Sequence, residues 1–149
     1  MKAVIYVRVS KNSQDHKRQI NDLQEYATTK QYSISAVIKE KISGSTTNSK
    51  REGIQKLLNL AQSNTIKYVL VSEISRLGRN TSDVLKIIEE LTKHKVSLYI
   101  LNYNLQTLRP NGTVDPTAQL VLTILAEFAR LEKETLVSRI KSGLEEAKR

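Results

Sequence analysis

Ala3-Val4-Ile5-Tyr6-Val7-Arg8-Val9-Ser10, directly after Met1-Lys2, sets the architecture expected of everything downstream. The unbroken apolar and aromatic run from Ala3 to Val7 reads as a strand buried on both faces, as in a parallel sheet covered by helices; a strand with one wet face would alternate instead. An arginine follows, and two residues later a serine. Side chains at i and i+2 of a strand share a face, so Arg8 and Ser10 are expected to emerge together at the strand's carboxyl end. That is the edge at which open parallel sheets bind ligands. A guanidinium beside a hydroxyl suits attack on a phosphate, the cation holding the anionic oxygens and the hydroxyl acting as nucleophile. The plainer alternative is that Arg8 caps the sheet with its head in water and Ser10 starts a turn. These eight residues alone favour the plainer one.

Outward from that strand the pattern alternates between helix and strand. Ser13 is placed to cap a helix whose stripe is Ile20, Leu23 and Ala27, with Tyr26 beside it. Ile34 to Ile38 is a β-branched second strand, and Ile54 to Ala61 is again helical. Between them Ser43-Gly44-Ser45-Thr46-Thr47-Asn48-Ser49 and Lys50-Arg51-Glu52-Gly53 form a small, polar, basic-ended segment that cannot bury a core; it is expected to be mobile, either as a clamp on a substrate or as a plain connection. Tyr68-Val69-Leu70-Val71 is a third buried strand. Asn80-Thr81-Ser82-Asp83 opens a helix with Val84, Leu85, Ile87, Ile88 and Leu91 on its apolar side, and Val96 to Leu101 is a fourth strand. This order predicts a central, mostly parallel α/β sheet of four to five strands with flanking helices and right-handed crossovers, built from residues 1–114. Leu105 to Val114 reads as a loop, marked by Pro110 and Gly112.

Asp115-Pro116 then starts the last helix, with aspartate as cap and proline at the first helical position. Nothing stronger than Gly143 interrupts it, so a long projecting helix over residues 115–149 is expected. Leu120, Val121, Leu122, Ile124, Leu125, Phe128 and Leu131 occupy more than one of its faces. One face would meet the sheet and the other a second subunit; a long core helix with a solvated tail is the alternative. From Glu132 onward it reads as mostly polar, with Lys133, Arg139, Lys141, Lys148 and Arg149.

Composition narrows the classes. There is no cysteine, so disulfides and thiolate zinc sites are excluded, and the two histidines, His16 and His94, are far apart in sequence. No apolar run approaches a membrane span and no signal peptide precedes the first strand, which places the chain in the cytoplasm, at the nucleoid if its partner is DNA. A net charge of +9 calls for a polyanion, nucleic acid first and an anionic membrane surface second. With no Trp and one Phe, a base-stacking platform for single strands is disfavoured.

Arg8 at the end of the first strand, and Arg76 and Arg79 after the third, lie where neighbouring parallel strands open on one edge. A phosphodiester in a pentacoordinate state gathers negative charge, which fixed guanidinium groups stabilise without a metal. No acidic metal cluster and no Walker-type phosphate loop is evident, so neither a metal nor a nucleotide cofactor is expected.

Tyr6-x-Arg8-Val9-Ser10 with Gln14 and Gln19, Ser43-Gly44-Ser45 and Arg51-Glu52-Gly53, Ser75-Arg76-Leu77-Gly78-Arg79, and Glu132 on the last helix together resemble the catalytic domain of serine recombinases, the resolvase/invertase family. The resemblance spans nearly the whole chain. It implies that Ser10 attacks a double-stranded DNA phosphodiester, leaving a 5′-phosphoserine and a free 3′-hydroxyl, with strand exchange in a synaptic tetramer of two homodimers and religation, and no cofactor. By the same resemblance Arg8, Arg51, Arg76 and Arg79 hold and activate the phosphate, Gln14 and Gln19 are active-site glutamines, and Glu132 ties the long helix to the site. The helix itself would dimerise and lie along the DNA minor groove.

Two departures stand out. The family often carries an acid just before the first arginine of Arg-Leu-Gly-Arg, where this chain has Ser75, so the proton donor to the leaving hydroxyl is unassigned. His16 is near Ser10 in sequence but reads as a surface residue, as does His94. Resolvases also continue past the long helix to a DNA-reading helix-turn-helix, so the chain is expected to be the catalytic-domain part of a longer protein. The competing readings are a DNA-binding module of the same fold that does not cut, and a small-molecule phosphoryl-transfer enzyme on a similar sheet. Neither the target site nor the outcome (resolution, inversion, integration or transposition) is legible.

Overall fold

The computed structural model describes residues 1–9, 13–41, 52–78 and 80–147, and the side chains of residues 13–15, 133 and 147 are outside that description. Five strands form one sheet in the order β2-β1-β3-β4-β5. β1 (Lys2–Val9), β2 (Ser33–Lys41), β3 (Tyr68–Val71) and β4 (Ser97–Ile100) run parallel. β5 (Leu105–Gln106) is antiparallel to β4, pairing Tyr99 with Gln106 and Ile100 with Leu105. β5 lies inside the segment expected to be a loop. Two residues are too few to show a period in sequence. The strand arises from its partner and from cross-links just beyond it, where Thr107 Oγ1 accepts from the Leu98 N–H (3.0 Å) and Ser97 Oγ donates to the Leu108 carbonyl (3.3 Å).

The doubly buried character of β1 is borne out, and its residues alternate between two cores. Ala3, Ile5 and Val7 pack with Leu23 and Ala27 of α1 (Ser13–Thr29) on one face. Val4 and Tyr6 pack on the other with α2 (Glu52–Gln62), α3 (Thr81–Lys93) and the start of α4 (Pro116–Ala147). One helix cannot cover a five-stranded face, and stacked tyrosines extend the cover: Tyr26 on Tyr99 with centroids 3.6 Å apart, and Tyr32 on Tyr68 at 4.1 Å. Gln106 Nε2 donates to the Tyr26 hydroxyl oxygen (2.7 Å). Burial pushes the phenols of Tyr26 and Tyr68 up to about 12.

Helices α1, α2 and α3 are each followed by a left-handed residue that is not glycine: Gln31 (φ 62°), Asn64 (φ 59°) and Lys95 (φ 61°). After α3 the Val96 N–H returns to the Leu91 carbonyl and the Lys95 N–H to the Thr92 carbonyl, the paired bonds that close a helix C-terminus. Without a glycine these ends leave little trace in sequence. The start of α4 was legible: Asp115 Oδ1 accepts from the N–H groups of Thr117 (2.9 Å) and Ala118 (3.3 Å).

α4 seats Ala118, Val121 and Leu122 on the core. Leu120, Ile124, Phe128 and Leu131 are exposed on it, so the helix is apolar on a side that the fold leaves open. Its second half is less polar than expected, because Leu136, Val137, Ile140 and Leu144 extend the exposed apolar surface to the end of the helix.

Candidate functional site at the carboxyl edge of the sheet

β1 carries Arg8 to the carboxyl edge on the α2–α3–α4 side, the side of Tyr6. Beside it, in register on β2, stands Glu40, 6% exposed, and its Oε2 accepts from the Gly53 N–H at the start of α2 (2.7 Å). A Cβ at Gly53 would overlap that carboxylate, which is the physical reason for glycine after Arg51-Glu52. Sequence reasoning missed Glu40. Its signal was an acid two residues after Ile38, on the buried parity of a strand that continues to Lys41 rather than ending at Ile38.

After β3 the chain makes a 3-10 turn, Ile74–Arg76, and drives Leu77 into the core with no exposure. Gly78 follows because a Cβ there would sit 2.8 Å from the Val84 nitrogen and from the Asp83 Cβ. Asn80 then caps α3, its Oδ1 accepting from the Asp83 N–H (2.9 Å). With Leu77 as anchor, the turn sends its polar residues to two sides. Ser75 lines a cleft of about 350 Å³ with Arg8, Thr81 and Glu132. Arg76 lines another of about 330 Å³ with Gln19, Ser72 and Glu73.

Glu132 is held in the first cleft by Thr81: the Thr81 hydroxyl donates to Oε1 (2.7 Å) and its N–H faces Oε2 at 3.5 Å. The long helix is therefore fastened to the first turn of α3, where a carboxylate also meets the positive end of the helix dipole. In the second cleft Ser72 Oγ donates to Gln19 Oε1 (3.2 Å), and Arg76 Nε lies 3.7 Å from Glu73 Oε2. Ser75 Oγ donates to that same Glu73 oxygen (3.4 Å), so one carboxylate touches the residues that face both clefts.

Of the residues read as functional from sequence, Arg8 and Glu132 share one cleft and Arg76 and Gln19 the other. Ser10, Arg51, Arg79 and the loop Ser43–Ser49 lie outside the described residues, and of Gln14 only its backbone place in the first turn of α1 is described. His16 is half-buried, while His94 is half-buried against Glu90 (3.2 Å) rather than fully solvated. Among the described residues no three His, Asp or Glu side chains gather as a metal-holding group. No described helix is long and apolar enough to cross a membrane.

Comparison with known proteins decides the family: the description "Resolvase, N terminal domain" matches residues 3–149. The chain belongs to the resolvase N-terminal-domain family. This is a family of serine-recombinase catalytic domains, DNA strand-exchange enzymes, and the resemblance read from Arg8, Ser10 and the Arg-Leu-Gly-Arg turn is borne out. The chain is 30% identical over its full length to the transposon Tn1546 resolvase of Enterococcus faecium, of which it spans 71%. It is 31% identical over 93% of its length to the transposon Tn552 resolvase of Staphylococcus aureus, spanning 63% of that protein. Among solved structures, the N-terminal catalytic domain of TP901-1 integrase superposes with a TM-score of 0.71 at 30% identity, covering 91% of this chain and 98% of that one. A resolvase-family site-specific recombinase from Streptococcus pneumoniae shares the fold with a TM-score of 0.73 at 20% identity, over 100% of this chain and 99% of that one.

Proposed function

We propose that this domain cleaves and rejoins duplex DNA through Ser10. The observation that carries the reading is that Arg8, two residues before Ser10, opens at the carboxyl edge into a cleft that Glu132 of the long helix also lines. The edge of the sheet is thus linked to the helix expected to meet a second subunit and DNA.

In the reaction the Ser10 Oγ–phosphorus bond forms, the bond from phosphorus to the 3′-oxygen breaks, and the serine proton leaves to a base while the 3′-oxygen gains a proton. The phosphodiester is exchanged for a phosphoserine ester of similar energy, so the free 3′-hydroxyl reverses the step and no nucleotide is consumed. Arg8 and Arg76, joined by Arg51 and Arg79, neutralise the charge gathered on the non-bridging oxygens. Guanidinium suits this because its fixed fork of donors matches phosphate geometry. Gln14 and Gln19 position the phosphate or the serine. With Arg8 in one cleft and Arg76 in the other, the phosphate would lie between them, over the 3-10 turn. DNA binding and assembly would complete the site.

The exposed apolar line Leu120, Ile124, Phe128 and Leu131 supports a homodimer along α4, with a tetramer of two dimers during exchange. The test is cleavage of supercoiled DNA carrying the recombination site by the full-length protein, quenched in denaturant, beside Ser10→Ala. The expected result is a covalent protein–DNA product that Ser10→Ala lacks. Cleavage by Ser10→Ala would refute the mechanism, and binding without cleavage by both proteins would make the domain a binding module.

A further inference from the structure

The amino edge of the sheet, opposite the candidate site, carries a row of cations. In sheet order β2-β1-β3-β4-β5 the chain places Lys30, Lys2, Lys67, Lys95 and Arg109 beside successive strands, all exposed. Backbone bonds fix the order: the Lys67 N–H donates to the Lys2 carbonyl and the Ser97 N–H to the Lys67 carbonyl (both 2.9 Å). Segments 1–2, 28–33, 63–68, 92–97 and 107–114, which make this edge, contain no Asp or Glu. Asp115 approaches Arg109 at 3.9 Å from just beyond it, and Lys30 stands 6.0 Å from the Tyr26 ring centroid. Lys67, Lys95 and Arg109 line an acid-free cleft of about 430 Å³ closed by the Arg109–Gly112 turn.

Neighbouring strands are about 4.8 Å apart, so the row extends for about 20 Å. A single small anion would occupy only the Lys67–Lys95–Arg109 cleft and leave Lys2 and Lys30 outside it, whereas the whole line of cations fits a line of phosphates. A protein partner would call for a buried aromatic or apolar anchor at the centre of the patch. Here the nearest ring, Tyr68, is stacked on Tyr32, and its hydroxyl faces Met1 Sδ. The eight residues of β1 put the two edges about 25 Å apart at ~3.3 Å per residue. Duplex DNA is stiff over such lengths, so a segment lying in the reaction clefts does not also reach this row.

We propose that the amino edge of the sheet is a sequence-independent contact for duplex DNA, holding a segment other than the one being cut. That the segment is a second one rests on the reading of the carboxyl edge above; the contact itself does not.

The test uses the 149-residue chain and a short duplex without a recombination site. Lys2→Gln, Lys67→Gln and Lys95→Gln combined should reduce the slope of log affinity against log salt by about 2 to 3, at ~0.9 for each phosphate that is no longer neutralised. Thermal melting of the variant confirms its fold. An unchanged slope in a folded variant overturns the proposal. Acetylation of the unsubstituted chain gives a reading independent of the variant: the duplex should protect Lys2, Lys67 and Lys95, and should still do so in Arg8→Ala/Arg76→Ala. Protection by polyglutamate but not by duplex would assign the edge to an acidic protein and overturn the proposal. Loss of Ser10-dependent cleavage would sink the reaction and leave these slopes and protections in place.

Discussion

At the carboxyl edge Arg8 and Arg76 stand among Glu40, Glu73 and Glu132, each carboxylate tied to backbone or side-chain donors, whereas the amino edge sets out Lys2, Lys67, Lys95 and Arg109 beside few acids. The difference separates two uses of positive charge. A cation flanked by acids loses long-range attraction but gains a fixed direction, which is what stabilising a transition state requires. A one-signed row keeps its field and its side-chain freedom, which attracts a polyanion and tolerates any sequence. The distribution of the acids thus fits the two proposals, chemistry at one edge and holding at the other.

The sharpest way to break this comparison is to remove one cation from each edge. Arg76→Ala should slow cleavage of bound DNA by about 10²–10³-fold, the usual loss for a fixed donor to a developing anion. Lys95→Ala should show itself in the salt dependence of DNA binding instead. Single-turnover cleavage and salt titration of both variants check this, and interchangeable effects would erase the distinction. Next in size is Gly78→Ala. Its Cβ would meet the Val84 nitrogen at 2.8 Å, so urea unfolding should show a loss of about 1–3 kcal/mol, as for overpacked sites.

A smaller effect lies on the face between the edges. Half-buried Tyr26 and Tyr68 keep their protons up to about 12, while the same phenols in the unfolded chain lose them near 10. Stability from these groups is complete below about pH 10 and falls as pH rises toward 12, since the folded state then binds more protons than the unfolded one. Urea midpoints across that window should fall, and Tyr26→Phe should flatten the fall. Smallest is Lys95→Gly, which relieves a left-handed lysine; a gain of about 0.5 kcal/mol is expected in thermal unfolding, together with weaker DNA binding.

Much of the fold was legible because burial writes long patterns. The run Ala3–Val7, the four residues of β3 and the Asp115-Pro116 helix start all appear in the structure as read. What escaped was set by partners distant in sequence. β5 exists through β4, β2 runs on to Lys41 through its pairing with β1, and Leu101 leaves the expected fourth strand for a 3-10 turn over Leu101–Tyr103. At the site, the motif pointed to arginines near one edge, but no spacing rule could show that buried Leu77 turns Ser75 and Arg76 toward different clefts, or that Glu40 answers Gly53.

The most direct test of the central claim is to map the protein–DNA linkage itself. Full-length protein is trapped on a site-bearing duplex, denatured and digested, and the adduct is sequenced by mass spectrometry. The account predicts a nucleotide 5′-phosphate esterified to Ser10, with a free 3′-hydroxyl on the other DNA end. A linkage at any other residue, or to a 3′-phosphate, would contradict it.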